Sequence, residues 1–355
     1  MSRVRTEEPL LAITPYGADG ASSRVRVFDW VRYLKLEVEL VSYLDTGNHA
    51  ARTMAKNLHR IPFVELGLRA LSRQVSQRCV LISRLASPFS NGGLECRLLR
   101  SAGWGVYDFD DALWAGIRTG MSSVFSKERI WRHSVSAADR VIAGSEYLAE
   151  EASRFNRDVV EIPSCVDPAQ YMPKMSYAIG DRPELVWLGS PTTEAYLQFI
   201  KRPLLELHRR RGVVLKLISG GNRPLGQLAA MTTRVPWKEG TFGAELAGSD
   251  IGIAPLRDDE FSRGKCAYKV LQYGASALPI VGSPVGANRR VLAGLRGLAP
   301  SREDDWVSAI EELLDEGEIA REVRGKAALG AVQAKYSYSA WTNRWLDCLD
   351  ITRDP

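Results

Sequence analysis

Residues 250–286 read DIGIAPLRDDEFSRGKCAYKVLQYGASALPIVGSPVG. The opening apolar run, 250–255, has the length and composition of a buried strand. A charged loop, 256–264, leads into Arg263, Gly264 and Lys265, and from Ala267 onward Val270, Leu271 and Gly274 keep helical spacing. Residues 279–282 return as a second strand. Ser283, Pro284 and Gly286 then punctuate the chain before a helix beginning near Ala287. Strand, loop, helix and strand in this order form the repeating unit of a parallel α/β sheet. Open sheets of that kind bind ligands outside the carboxyl ends of their strands.

The charges in this loop point to an anion. Free backbone N–H groups and the helix dipole favour negative charge at a helix start, and a cation there opposes the dipole by about 0.3–1 kcal/mol when exposed. Arg263, Lys265 and Lys269 nevertheless crowd the first turn, with Lys265 and Lys269 four residues apart on one face. A bound phosphate or diphosphate reverses the sign of that energy. A solvated charged loop is the competing reading.

The segment 271–286, LQYGASALPIVGSPVG, resembles the donor-binding region of the family four glycosyltransferases. The resemblance extends over most of the chain. It implies a GT-B fold, two doubly wound Rossmann-type α/β domains facing across a cleft, and transfer of a sugar from a nucleoside-diphosphate sugar to an acceptor hydroxyl. In that family two glutamates with seven residues between them precede the small-residue run. Gln272 stands where the second, the one on the donor ribose, is expected, and Gly264 stands at the place of the first. A divergent branch with a basic loop fits this pattern.

Bulk properties agree with an enzyme of ordinary globular kind. At 355 residues the chain has room for two domains, and 45% hydrophobic with 25% charged residues is the balance of a water-soluble protein. No run approaches a membrane span, and the first residues lack a signal-peptide core, so a cytoplasmic location is expected. The five cysteines are odd in number and lack a C-x-x-C pair, which favours free thiols over a structural zinc site. A net charge of +5 suits anionic substrates and is too small to argue for nucleic acid.

Along the first half, residues 10–14 read as a strand, followed by a loop of Gly, Ala and Ser that includes Gly20 and allows a ligand close to the backbone. A helix follows from Ser22 with Val27, Trp30, Val31 and Leu34 inward, then a strand at 38–43. The region 52–78 interleaves Arg52, Lys56, Arg60, Arg69, Arg73 and Arg78 with Leu58, Ile61, Phe63, Leu66, Leu68 and Leu71. It reads either as a helical face covering the core or as a surface for peripheral contact with an anionic membrane. Strands are expected at 80–83 and 106–109, the latter ending in Asp108-Phe109-Asp110-Asp111. Three readings compete for these carboxylates. They can cap a helix starting near Ala112. As Asp-x-Asp they can hold a divalent cation against a diphosphate. By the family resemblance Asp110 falls beside the transferred sugar, with no metal, and that reading is preferred. His133, alone on a helix, is read as a surface or packing residue. Ser145 reads as a helix cap, and 141–143 and 159–162 as strands.

The family resemblance closes the first domain around Pro163-Ser164-Cys165-Val166-Asp167. We expect domains at 1–172 and 173–335 and a last helix, 336–355, crossing back to the N-terminal domain. The second domain opens with a strand at 184–188 and the turn Gly189-Ser190-Pro191-Thr192-Thr193, small and hydroxyl residues fit for an anion cradle. Relatives place Arg and Lys after this strand. Their absence here makes the basic loop the natural substitute. A strand at 213–219 follows, and Trp237 falls where relatives contact the nucleobase, so it reads either as a stacking partner of the base or as a packing residue. Ser301 and Asp304 read as a helix-start box.

The expected activity is thus a metal-independent, retaining glycosyltransferase. The catalytic candidates are Asp110, Arg263 and Lys265. The donor contacts are Gly20, Gly189, Ser190, Thr192, Trp237, Lys269, Gln272 and Gly286, and no cofactor is needed beyond the nucleotide-sugar donor. A sugar-nucleotide epimerase of the same architecture and a non-catalytic nucleotide or glycan binder are the alternatives.

Overall fold

A computed structural model describes residues 9–116 and 124–351. The chain divides into two compact units. One takes in the chain up to Ser164, the short segment Gly264–Cys266 and the chain from Trp341 onward. The other comprises Cys165–Arg263 and Ala267–Ala340.

The first unit is built on six parallel strands in the order β2-β1-β3-β4-β5-β6. They are β1 (Leu10–Thr14), β2 (Val38–Ser42), β3 (Cys79–Ser83), β4 (Trp104–Phe109), β5 (Arg140–Ala143) and β6 (Val159–Glu161). Leu11, Ile13, Val80, Ile82, Tyr107, Phe109, Val141 and Ala143 line one face of the sheet and meet Leu98, Trp131, Val135 and Leu148 from the covering helices. Their neighbours Leu10, Ala12, Leu81, Val106 and Ile142 point the other way and are also buried. Both faces are covered, so these strands read as unbroken apolar runs. The helix at 21–34 departs from the simple pattern expected of it: a π-helical turn at Arg24–Phe28 interrupts the α-helix. That turn buries Arg26, whose guanidinium forks onto Asp108, with Nε 3.1 Å from both carboxylate oxygens, and donates from Nη1 to the Ile162 carbonyl at 2.8 Å.

The second unit carries five parallel strands in the order β11-β10-β7-β8-β9. These are β7 (Glu184–Leu188), β8 (Val214–Ile218), β9 (Thr232–Val235), β10 (Ile251–Ala254) and β11 (Ile280–Gly282). The period-two alternation of β7 divides its side chains between two cores. Val186 and Leu188 join Val270, Leu271, Leu292 and Val332, whereas Leu185 and Trp187 join Leu204, Leu207, Trp306 and Ile310. The doubly wound parallel arrangement is therefore present in both units.

Three local readings are corrected. The segment at 301–304 does not form a capping box: the helix is Asp305–Asp315, and the Asp305 carboxylate accepts from the Arg302 N–H at 3.0 Å. The turn at Ser190 leads into a 3-10 helix, Pro191–Ile200, before the α-helix Lys201–Arg211. No helix begins at Ala112 among the described residues, where the chain runs through turns to Gly116, so the aspartates do not cap one there.

Candidate active site

The chemistry-bearing residues of the first unit collect at the carboxyl ends of β3 and β4. Arg84 follows β3 in the left-handed region, φ 62°. Its N–H donates to the Asp108 carbonyl at 2.8 Å and its own carbonyl accepts from the Tyr107 hydroxyl at 2.8 Å. Two backbone ties thus fix the start of its side chain. The guanidinium lies 3.3 Å from Asp110 Oδ1 and 2.9 Å from Asp111 Oδ2. Lys265 completes the cluster, its Nζ 2.6 Å from Asp111 Oδ1, and Cys266 donates its thiol to the Asp110 carbonyl at 3.2 Å.

The two adjacent carboxyls are driven apart in acidity. Burial raises the Asp110 pKa, with Arg84 opposing it and the Asp111 charge adding to the rise. Burial also acts upward on Asp111, but Lys265 and Arg84 outweigh it and hold that group below its ordinary value. One carboxyl that keeps its charge and one that gives it up more readily, side by side at a strand edge, form a pair able to divide electrostatic and proton-handling roles. Asp108 takes no part in this pair. Its carboxylate is taken up by the buried Arg26, and the Asp-x-Asp reading therefore lacks a second carboxylate converging with Asp110.

Lys265 does not share a helical face with Lys269, contrary to what the spacing predicts. The helix is Tyr268–Ala275, and Lys265 precedes it in the segment Gly264–Cys266, which belongs to the first unit and pairs with Asp111. In the same segment a Cβ on Gly264 would lie 2.6 Å from both the backbone nitrogen and the Cβ of Ala112. The position where the family resemblance would put a glutamate therefore has no room for a side chain.

In the second unit the candidates gather at the ends of β7 and β8. Exposed Ser190 and Thr192 approach through their hydroxyls at 3.0 Å, and Ser190 approaches Thr193 at 3.2 Å. Lys269 lies across this turn: its Nζ is 5.4 Å from the Trp187 ring, and its Cε stands 2.8 Å from where a Cβ on Gly189 would be. Gln272 follows on the same helix, three residues on, and is buried. Beneath the turn, buried Glu194 accepts from Ser219 Oγ at 2.6 Å and from Arg234 Nη2 at 3.1 Å, while Arg234 Nη1 donates to the Gly221 carbonyl at 3.0 Å. That network ties the loop after β8 to the turn after β7. Trp237 stacks on Phe242, with ring centroids 5.9 Å apart, at the edge of the core.

Other candidates are placed differently from expectation. The Gly20 N–H donates to the Gly17 carbonyl and the Gly189 N–H to the Ile218 carbonyl, so neither is left for a ligand. Gly286 has φ +54°, and a Cβ there would sit 2.2 Å from the Arg263 carbonyl oxygen; its role is to let two turns touch. The exposed Arg263 pairs with Asp258 at 2.7 Å.

Two groups escaped the sequence reading. Arg84 and Arg26 meet carboxylates far along the chain, a pairing that no local pattern announces. His49 packs on the rings of Tyr16 and Tyr43, at 4.8 and 5.4 Å, and burial lowers its pKa to about 4, so it is neutral at pH 7.

Comparison with known proteins gives a one-sided result. No protein-family model and no curated protein matches the sequence. Solved structures do match, several of them over nearly the whole length of both chains. Sucrose-phosphate synthase from Thermosynechococcus elongatus aligns over 96% of this chain and 98% of its own, with a TM-score of 0.66 at 13% identity. The fold is that of the GT-B glycosyltransferases. The Anabaena protein HepE, in complex with UDP and glucose, gives the same TM-score at 11% identity, over 96% of this chain and 99% of its own. A UDP-forming α,α-trehalose-phosphate synthase from Burkholderia vietnamiensis gives 0.64 at 12%, over 97% of each chain. At such identities the likeness fixes the GT-B fold and leaves the chemistry to the residues.

Proposed function

We propose that this protein is a glycosyltransferase that moves a sugar from a nucleoside-diphosphate sugar to an acceptor hydroxyl, with retention and without a metal ion. The observation that carries this reading is the position of Lys269, a cation laid over the glycine-and-hydroxyl turn after β7. Sugar transfer releases a nucleoside diphosphate, so the protein must stabilise growing negative charge on the leaving group. Lys269, with the Ser190 and Thr192 hydroxyls, supplies that charge and those donors, and Gln272 serves the ribose. Asp110 is assigned to the transferred sugar, where a carboxylate stabilises an oxocarbenium-like transition state. Lys265 is reassigned from the diphosphate to Asp111, whose charge it holds in place. Structural neighbours crystallised with UDP or named for UDP-forming reactions support a uridine nucleotide as the first donor to try.

The same residues support metal independence. Asp108 is spent on Arg26, and Asp110 and Asp111 already face Arg84 and Lys265. The test is a thermal-shift panel of nucleotide sugars, followed by transfer assays with and without excess EDTA. A ligand at 100 times its dissociation constant adds about 2.7 kcal/mol of stability. We expect one nucleotide sugar to raise Tm, Lys269→Met to remove the shift, and activity to survive EDTA with the anomeric configuration of the donor kept in the product. Strict dependence on Mg²⁺ or Mn²⁺ would overturn the carboxylate assignment, and absence of any nucleotide-sugar shift would overturn the transferase reading itself.

A further inference from the structure

One surface of the first unit has no part in the chemistry above and carries an unusual combination of side chains. The helix Ile61–Leu71 is apolar on two sides. Ile61, Val64, Leu68 and Leu71 turn inward onto the sheet core. The opposite side presents Phe63 at 75% and Leu66 at 63% exposure, and Leu58 in the preceding turn is 68% exposed. A helix that only covers a core has a polar outer face. This one does not.

The charges around the strip are of one sign. Arg52, Lys56, Arg69 and Arg73 are all exposed and form no ion pair among the described residues. The only carboxylate between Ala51 and Gln77 is Glu65, which is turned inward to the Tyr43 and Ser87 hydroxyls at 3.0 and 2.5 Å. Exposed Phe and Leu in a stretch whose exposed charges are all Lys and Arg match the interface of an anionic bilayer. There the rings enter the headgroup boundary and the cations meet lipid phosphates. An acidic protein surface would match the cations but offers no hydrocarbon for Phe63 and Leu66.

We propose that the face built from residues 52–73 docks this protein on a membrane surface rich in anionic lipid. The claim is independent of the transferase reading. The test uses the full chain in vesicle co-sedimentation, with phosphatidylcholine alone against an equal mixture with phosphatidylglycerol. Binding is expected to the mixed vesicles only, falling as salt rises. Neutralising Arg69→Gln and Arg73→Gln together should weaken it roughly fivefold per charge, on the order of 25-fold for the pair. Phe63→Ser with Leu66→Ser should weaken it by about tenfold or more. Both pairs lie on exposed positions, so circular dichroism and Tm should match the parent. Equal binding to neutral vesicles, or binding untouched by either pair, would overturn the proposal. So would a dimer on sizing chromatography that the serine pair abolishes, because the strip would then belong to a second copy of the chain.

Discussion

Asp110 and Asp111 are neighbours in sequence whose acidities shift in opposite directions, and the difference comes from what each faces. At Asp110 burial and the Asp111 charge outweigh Arg84 and Arg26, whereas at Asp111 Lys265 and Arg84 outweigh burial. The raised pKa of Asp110 sets the sign of a pH effect. An ionised carboxylate is lost as pH falls through the folded-state pKa, so the acid limb of kcat should begin above the ordinary aspartate value of about 3.9. Asp110→Asn should lower kcat by about tenfold or more, the equivalent of 1.4 kcal/mol, and leave donor affinity nearly unchanged. The acid limb should vanish with it. Because a raised folded pKa makes the carboxyl's contribution to stability greatest at low pH and lost as pH rises through that pKa, the asparagine variant should melt no lower at neutral pH. A parallel fall in Tm and rate would instead make Asp110 a structural residue. The candidacy of Asp110 was legible from its place at a strand end. Its partners were not, because Arg84 and Lys265 come from other stretches of the chain and pair with it and Asp111 only in the folded unit.

Among elements, the loop and helix around residue 264 show how far a local pattern reaches. The strand, helix and following strand at 250–286 form as their apolar spacing requires, as Ile251–Ala254, Tyr268–Ala275 and Ile280–Gly282. What spacing cannot show is that residues 264–266 leave the company of their neighbours and pack with the other unit. There the absence of a side chain at Gly264 has a steric cause, since Ala112 occupies the space. Placing a side chain at this position should therefore fail. Gly264→Ala, and more so Gly264→Glu, should destabilise the protein by about 1–3 kcal/mol, the usual cost of overpacking. Denaturant unfolding measures it. An alanine variant as stable as the parent would show that the close approach imposes no constraint and that the missing glutamate has another origin.

Over the whole molecule, the chain's last stretch returns to the unit in which it began. Trp345, from the helix Tyr338–Cys348, stacks on Trp30 at 5.0 Å and 5°, and both rings are buried. Trp104 donates its indole N–H to the Cys348 carbonyl at 2.9 Å. Trp345→Ala should cost about 3–5 kcal/mol, read as a lower midpoint in denaturant unfolding, because truncating a buried indole leaves a cavity and removes the stacking on Trp30. A shift under about 1 kcal/mol, the scale of an ordinary point substitution, would mean that the final helix merely lies against the sheet. The sequence by itself determined that the protein is a doubly wound α/β chain, because apolar runs of strand length alternating with helical periods can bury both faces of a sheet in few other ways. It also marked the strand ends where the candidate residues lie. Only the tertiary structure decided which charges meet: Arg26 with Asp108, Arg84 with Asp110 and Asp111, Lys265 with Asp111, Arg234 with Glu194. Secondary structure follows from neighbours a few residues apart, whereas an ion pair depends on the distance between side chains that the strand order alone brings together.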